Sequence, residues 1–134
     1  MTVHHIGYLV KDMDYSIKEF QKLGYELEGS VVQDKSRKIS IQFMVCGMVR
    51  IELIVPDKDN DFLLSLRKRI GNAPYHICYE TDKYDMIINE MTNPNSINGG
   101  YIITQESAPA VAIRNKRVTF LYNSDIGLIE ILEK

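Results

Sequence analysis

The amino-acid sequence predicts an α+β protein: two βαβββ modules forming a curved eight-stranded mixed sheet with a central cavity. Three observations carry this. Landmark segments recur in the same order in both halves of the chain. Short apolar runs with period-two alternation are interleaved with capped helical stretches. The length, 134 residues, suits one compact domain or two very small modules sharing a core.

The repeat is read by comparing the chain with itself. His5-Ile6-Gly7-Tyr8 returns as His76-Ile77-Cys78-Tyr79, 71 residues later. Ile51-Glu52-Leu53-Ile54 returns as Ile129-Glu130-Ile131-Leu132 after 78 residues, and Ile41-Gln42-Phe43-Met44 is echoed by Val118-Thr119-Phe120-Leu121 after 77. Identity elsewhere is low, as expected of an old duplication.

Each half is then justified in order. His5 to Val10 alternates and is β-rich, so it reads as a strand. Asp12 or Asp14 can cap the following helix, in which Met13, Ile17, Phe20 and Leu23 lie near helical spacing and Gly24 is a good stop. Strands follow around Tyr25–Gln33, Lys38–Val45 and Met48–Val55, with Gly47 at the tight turn between the last two. Asp61 is the expected cap of a linker helix carrying Phe62, Leu63, Leu66 and Ile70, ended by Gly71. The second half repeats the pattern. A strand runs from His76 to Thr81 and a short helix from Lys83 to Met91, with Met86, Ile87 and Met91 as a modest apolar stripe. Asn93-Pro94-Asn95 and Gly99-Gly100 break the chain, and strands follow near Tyr101–Glu106, Lys116–Tyr122 and Gly127–Glu133. The expected organisation is a first module at 1–56, a linker helix at 57–74 and a second module at 75–134, together one domain.

Composition excludes several classes. The chain is 45% hydrophobic and 25% charged with a formal net charge of −2, an ordinary globular balance. A pI near 5.9 leaves no basic footprint for nucleic acid. The short clusters Arg67-Lys68-Arg69 and Arg114-Asn115-Lys116-Arg117 read as solvated faces. No signal segment and no apolar run of about 18 residues is present, so a cytoplasmic protein without membrane segments is expected. Cys46 and Cys78 form no CxxC pair and are expected to be reduced.

The chemistry sits at the repeated positions. His5 and His76 lie in equivalent strands. Glu52 and Glu130 lie mid-strand, flanked by Ile51/Leu53 and Ile129/Ile131. Alternation turns the glutamates to the face opposite those apolar neighbours. A carboxylate on an inner face is costly unless it is paired or metal-bound. A lone strand histidine or glutamate is usually structural; two of each at duplicated positions point to a metal. Alternation also means that only one of His4 and His5 faces inward, and the match with His76 selects His5. Two imidazoles and two carboxylates without a thiolate form a borderline-to-hard ligand set for one divalent ion: zinc, nickel, cobalt or manganese. Four protein ligands leave two adjacent positions on an octahedral ion for a small-molecule substrate with vicinal oxygens. The ion then acts as a Lewis acid on an enediolate while a carboxylate moves the proton.

The segments His5–Asp12, Ile51–Pro56, Tyr75–Glu80 and Leu128–Ile131 resemble the landmark motifs of the vicinal-oxygen-chelate superfamily, and the resemblance spans essentially the whole chain. It implies a curved-sheet cavity, one divalent metal and a homodimer. The His/Glu/His/Glu set is similar to that of bacterial glyoxalase I (lactoylglutathione lyase), whereas the wording of the motifs is closest to methylmalonyl-CoA epimerases. Many of those epimerases have Gln where this chain has Glu52. Some are thought to use a further carboxylate on the strand before it, where Ile39–Val45 offers only Gln42. The lead expectation is therefore a metal-dependent glyoxalase I-type lyase, with the epimerase as the alternative. Glu130 is the first candidate base and Glu52 the second. A resistance-type binding protein generally lacks the metal set, and a ring-cleaving dioxygenase uses two His and one Glu in a longer chain; both fit less well. Ser107–Arg117 is either a lid contacting a substrate anion or an ordinary surface loop. Tyr8, Tyr79, Phe43 and Phe120 are expected to pack the core rather than line the site.

Overall fold

The computed structural model describes residues 1–134. The strands are β1 (Thr2–Leu9), β2 (Glu26–Asp34), β3 (Ile39–Cys46), β4 (Val49–Pro56), β5 (Ala73–Thr81), β6 (Ile102–Ala110), β7 (Lys116–Asn123) and β8 (Gly127–Glu133). The helices are α1 (Met13–Lys22), α2 (Asp61–Ile70) and α3 (Tyr84–Thr92), with a single 3-10 turn at Val111–Ile113. The order is βαβββ, a linker helix, then βαβββ. Hydrogen-bonded neighbours run β2-β3-β4-β1-β5-β8-β7-β6, a mixed sheet of eight strands. No helix is long and apolar enough to cross a membrane.

The chain divides into two compact units, His5–Tyr75 and Met1–His4 with His76–Lys134. In the first, β1 pairs parallel with β4, and β3 pairs antiparallel with both β2 and β4. One face of these strands carries Met44, Ile51 and Leu53, which with Val10 form a core against Met13, Ile17 and Phe20 of α1. Asp12 caps α1 by accepting the Tyr15 amide at 2.9 Å. Leu23, counted in the helical stripe by spacing, follows the last helical turn and is exposed. Gly47 makes the β3–β4 turn at φ 59°, where a β-carbon would be strained.

The linker helix starts differently from expectation. Its cap is Asn60, which accepts the Leu63 amide at 3.1 Å, and Asp61 is the first helical residue. The Asn60 amide also donates to the Arg37 and Lys38 carbonyls at 3.0 and 3.2 Å. A residue one place earlier both caps the helix and ties it to the β2–β3 turn.

In the second unit β5 pairs parallel with β8, and β7 pairs antiparallel with β6 and β8. Leu121, Ile129 and Ile131 pack on Tyr84 and Met91 of α3, with Tyr79 and Ile87 beside them. Met86, expected in that stripe, is exposed. β6 is longer than its alternation shows and runs to Ala110, because Ala108, Pro109 and Ala110 stay in register with Val118, Arg117 and Lys116. Pro109 is tolerated where the strand has no neighbour on its other side. What reads in sequence as a lid or loop at Ser107–Arg117 is thus mostly ladder, closed by the 3-10 turn.

Candidate functional site

Register decides which side chains share a face. In the first unit Glu52 is the partner of Gly7 on one side and of Phe43 on the other. His5, two residues before Gly7, lies on that same face, opposite the one that packs on α1. His5 is fully buried, whereas His4 is half-buried. His5 Nε2 stands 3.2 Å from Glu52 Oε2, and both side chains are almost wholly withdrawn from solvent. The Phe43 ring stands edge-on to the imidazole, with centroids 5.3 Å apart and planes at 76°.

The second unit repeats this arrangement. Glu130 is the partner of Cys78 on one side and of Phe120 on the other. His76 Nε2 lies 3.5 Å from Glu130 Oε2, again with both side chains buried. Phe120 meets the His76 ring with centroids at 5.1 Å and planes at 81°. Cys78, Val118 and Leu132 form the apolar floor of this face, and Ile113 from the 3-10 turn packs on them. The segment after β6 therefore contributes one apolar side chain to the face of Glu130.

Each expected ligand thus has its partner within its own unit: His5 with Glu52, and His76 with Glu130. The donor chemistry fits a divalent cation. Two donors held by one ion, each about 2.1 Å from it, lie roughly 3.0 to 3.4 Å apart at tetrahedral or octahedral angles. The separations here are 3.2 and 3.5 Å. An imidazole nitrogen beside a carboxylate oxygen, with no thiolate of the pair, suits a borderline-to-hard ion.

Two expectations change. Phe43 and Phe120 are not helix-side core residues; they stand beside the imidazoles, whereas Tyr8 and Tyr79 do pack under the helices. Their position follows from register, since Phe43 is opposite Glu52 and Phe120 opposite Glu130. Gln42, which cannot serve as a base, is the partner of Leu53 and so lies on the α1 face. Its amide donates to the Gly29 and Phe43 carbonyls at 3.2 and 2.8 Å. The β3 positions on the Glu52 face are Ile41, Phe43 and Val45, so that strand supplies no carboxylate there. Arg117, a candidate anion contact, instead donates as a fork to Glu133 and Asp85 and lies 4.6 Å over the Tyr84 ring, on the helix side.

Comparisons with known proteins bear on the fold. Among curated proteins no sequence matches. The chain resembles the crystal structure of methylmalonyl-CoA epimerase from Mycobacterium tuberculosis with a TM-score of 0.82 and 19% identity, covering 98% of this chain and 87% of that one. A hypothetical protein from Bacillus halodurans C-125 superposes with a TM-score of 0.81 at 22% identity, covering 99% and 94%. A Streptomyces coelicolor methylmalonyl-CoA epimerase variant in complex with 2-nitronate-propionyl-CoA gives 0.82 at 17% identity, covering 100% and 97%. These likenesses establish a shared fold. The model of the glyoxalase/bleomycin resistance protein/dioxygenase superfamily matches residues 4–120, a span that takes in His5, Glu52 and His76. With its duplicated βαβββ modules and its repeated buried His–Glu pair, the chain belongs to that superfamily.

Proposed function

We propose that the chain is a divalent-metal-dependent epimerase acting on a small acyl-CoA thioester of the methylmalonyl-CoA type, with His5, Glu52, His76 and Glu130 as the ligands of one ion. The observation that carries the metal chemistry is the same buried imidazole–carboxylate pair in both units. Buried carboxylates at duplicated positions are costly without a cation. The substrate class is supported by the solved structures that the chain resembles, which include methylmalonyl-CoA epimerases bound to methylmalonyl-CoA and to 2-nitronate-propionyl-CoA. The stronger weight that the four-ligand set gives to a glyoxalase I-type lyase finds no matching support among these relatives, so the epimerase reading replaces it.

A divalent ion in such a site supplies Lewis-acid stabilisation of the negative charge that develops on a carbonyl oxygen when the neighbouring carbon loses its proton. The protein residues do the rest. Glu130 is the first candidate to accept the proton from the carbon between thioester and carboxylate, and Glu52 the second. Return of a proton to the opposite face from the other of these two carboxyls, in its protonated form, inverts that carbon, while the first proton stays on the carboxylate that took it. Gly7 leaves the strand beside Glu52 without a side chain, while Cys78 occupies the matching place beside Glu130. Cys78, Val118 and Leu132 share the face of Glu130 and are fully buried, an apolar setting suited to proton transfer. A homodimer belongs to this proposal and is checked by light scattering.

Metal analysis of protein purified without chelator tests the ligand set. One ion per chain is expected, falling to well under half an ion in His5→Ala and in Glu130→Gln. Full metal in both variants would remove the assignment. Turnover is then assayed with methylmalonyl-CoA and with the methylglyoxal–glutathione hemithioacetal. Activity on the hemithioacetal alone would reinstate the lyase reading.

A further inference from the structure

We propose that Phe43 and Phe120 are positioning residues for the two metal-binding imidazoles; this rests on the metal reading above. Three observations converge on these rings. Of the landmark Ile41–Met44 and its echo Val118–Leu121, the phenylalanine is the one position identical in both halves. Each phenylalanine is the register partner of the glutamate of its own unit. Each ring meets the histidine of that unit edge-on, at 5.3 and 5.1 Å and at 76° and 81°.

The geometry explains what the rings do. An imidazole rotates about χ2 in a broad well, so the direction of Nε2 is poorly set by rotamer preference alone. An edge-to-face aromatic contact favours one ring plane, and the glutamate between the two strands then meets a fixed nitrogen. Phe43 and Phe120 are both half-buried. Rings that were only core filling would be expected among the buried side chains under the helices, where Met44 and Leu121 of the same strands lie. The duplication preserves a three-part unit of His, Glu and Phe, beyond the four ligands.

The test compares Phe43→Leu and Phe120→Leu with Tyr8→Leu. Tyr8 makes a similar edge contact, with Phe20 at 5.1 Å, but on the α1 face. Cobalt(II) titration of metal-free protein gives the dissociation constant. Each phenylalanine variant is expected to weaken binding about threefold to tenfold, the range of one aromatic pair. Phe43→Tyr and Phe120→Tyr are expected to restore it, and Tyr8→Leu to lower thermal stability without changing it. Carbon-13 relaxation of the imidazoles in metal-free protein provides a readout independent of any ion, with only three histidines to assign. The rings of His5 and His76 are expected to be rigid in wild type and loosened in the matching phenylalanine variant. Phe43→Met and Phe120→Met replace any leucine variant that does not fold. Unchanged cobalt affinity together with unchanged ring dynamics overturns the proposal. Absence of cobalt binding in wild type would instead overturn the metal reading, and ring dynamics would still decide whether the phenylalanines hold the imidazoles.

Discussion

Asp34, at the end of β2, is fully buried. Burial pushes its carboxyl up. The Ser36 hydroxyl and the Arg37 amide, donating at 2.6 and 3.0 Å, and the Arg37 guanidinium at 2.9 Å outweigh that effect, so the group titrates below the ordinary carboxylate value. The folded carboxyl is thus more acidic than the unfolded one. Its contribution is present in full above the ordinary carboxylate range and is lost as pH falls through the folded value. Asp34→Asn is expected to lower stability at pH 7 by about 2 kcal/mol and to flatten the acid limb of the stability profile, read by urea unfolding at several pH values. An acid limb as steep as wild type would show that another group carries it. The Arg117 fork makes a parallel case: hydrogen bonds from Arg117 hold the Asp85 and Glu133 carboxyls below their usual range. Arg117→Ala is expected to return both upward in a carbon-13 titration. At this scale His5, Glu52, His76 and Glu130 were legible as candidate ligands because the repeat singled them out. Phe43 and Phe120 were assigned to core packing, and Arg117 was weighed as an anion contact, because the face a residue occupies depends on strand register, which a count along one strand does not supply.

Helix starts and strand ends set the next scale. The α2 cap is Asn60 rather than Asp61, although both residue types suit the position. Asn60→Ala is expected to cost about 1 to 2 kcal/mol in chemical denaturation, since it loses the cap and the donations to the Arg37 and Lys38 carbonyls. Asp61→Ala is expected to cost only a few tenths, through the helix dipole. The reverse ranking would restore Asp61 as the cap. Most elements were visible in the sequence because period-two alternation and caps are local signals. The extension of β6 through Ala110 was not visible. Ala108-Pro109-Ala110 has weak β-propensity, and only the ladder with β7 holds it extended.

At the scale of the molecule, the two units repeat one design: an apolar face under a helix, and an opposite face that presents His, Glu and Phe. If one ion engages all four ligands, it binds the folded state alone. Free metal at 100 times its dissociation constant should then raise stability by about 2.7 kcal/mol. Thermal unfolding with zinc and with chelator measures this, and the His5→Ala/His76→Ala double variant is expected to show no such shift. Equal shifts in wild type and double variant would place the ion elsewhere.

By itself the sequence determined the duplicated βαβββ order and singled out His5, Glu52, His76 and Glu130 as repeated positions. These rest on alternation and on self-similarity, both written locally along the chain. Only the tertiary structure decided which residues share a face across strands. It set Phe43 and Phe120 beside the imidazoles, turned Gln42 and Arg117 to the helix side, and moved the α2 cap to Asn60. Those outcomes depend on register and on contacts between segments far apart in sequence, and local propensity does not encode either.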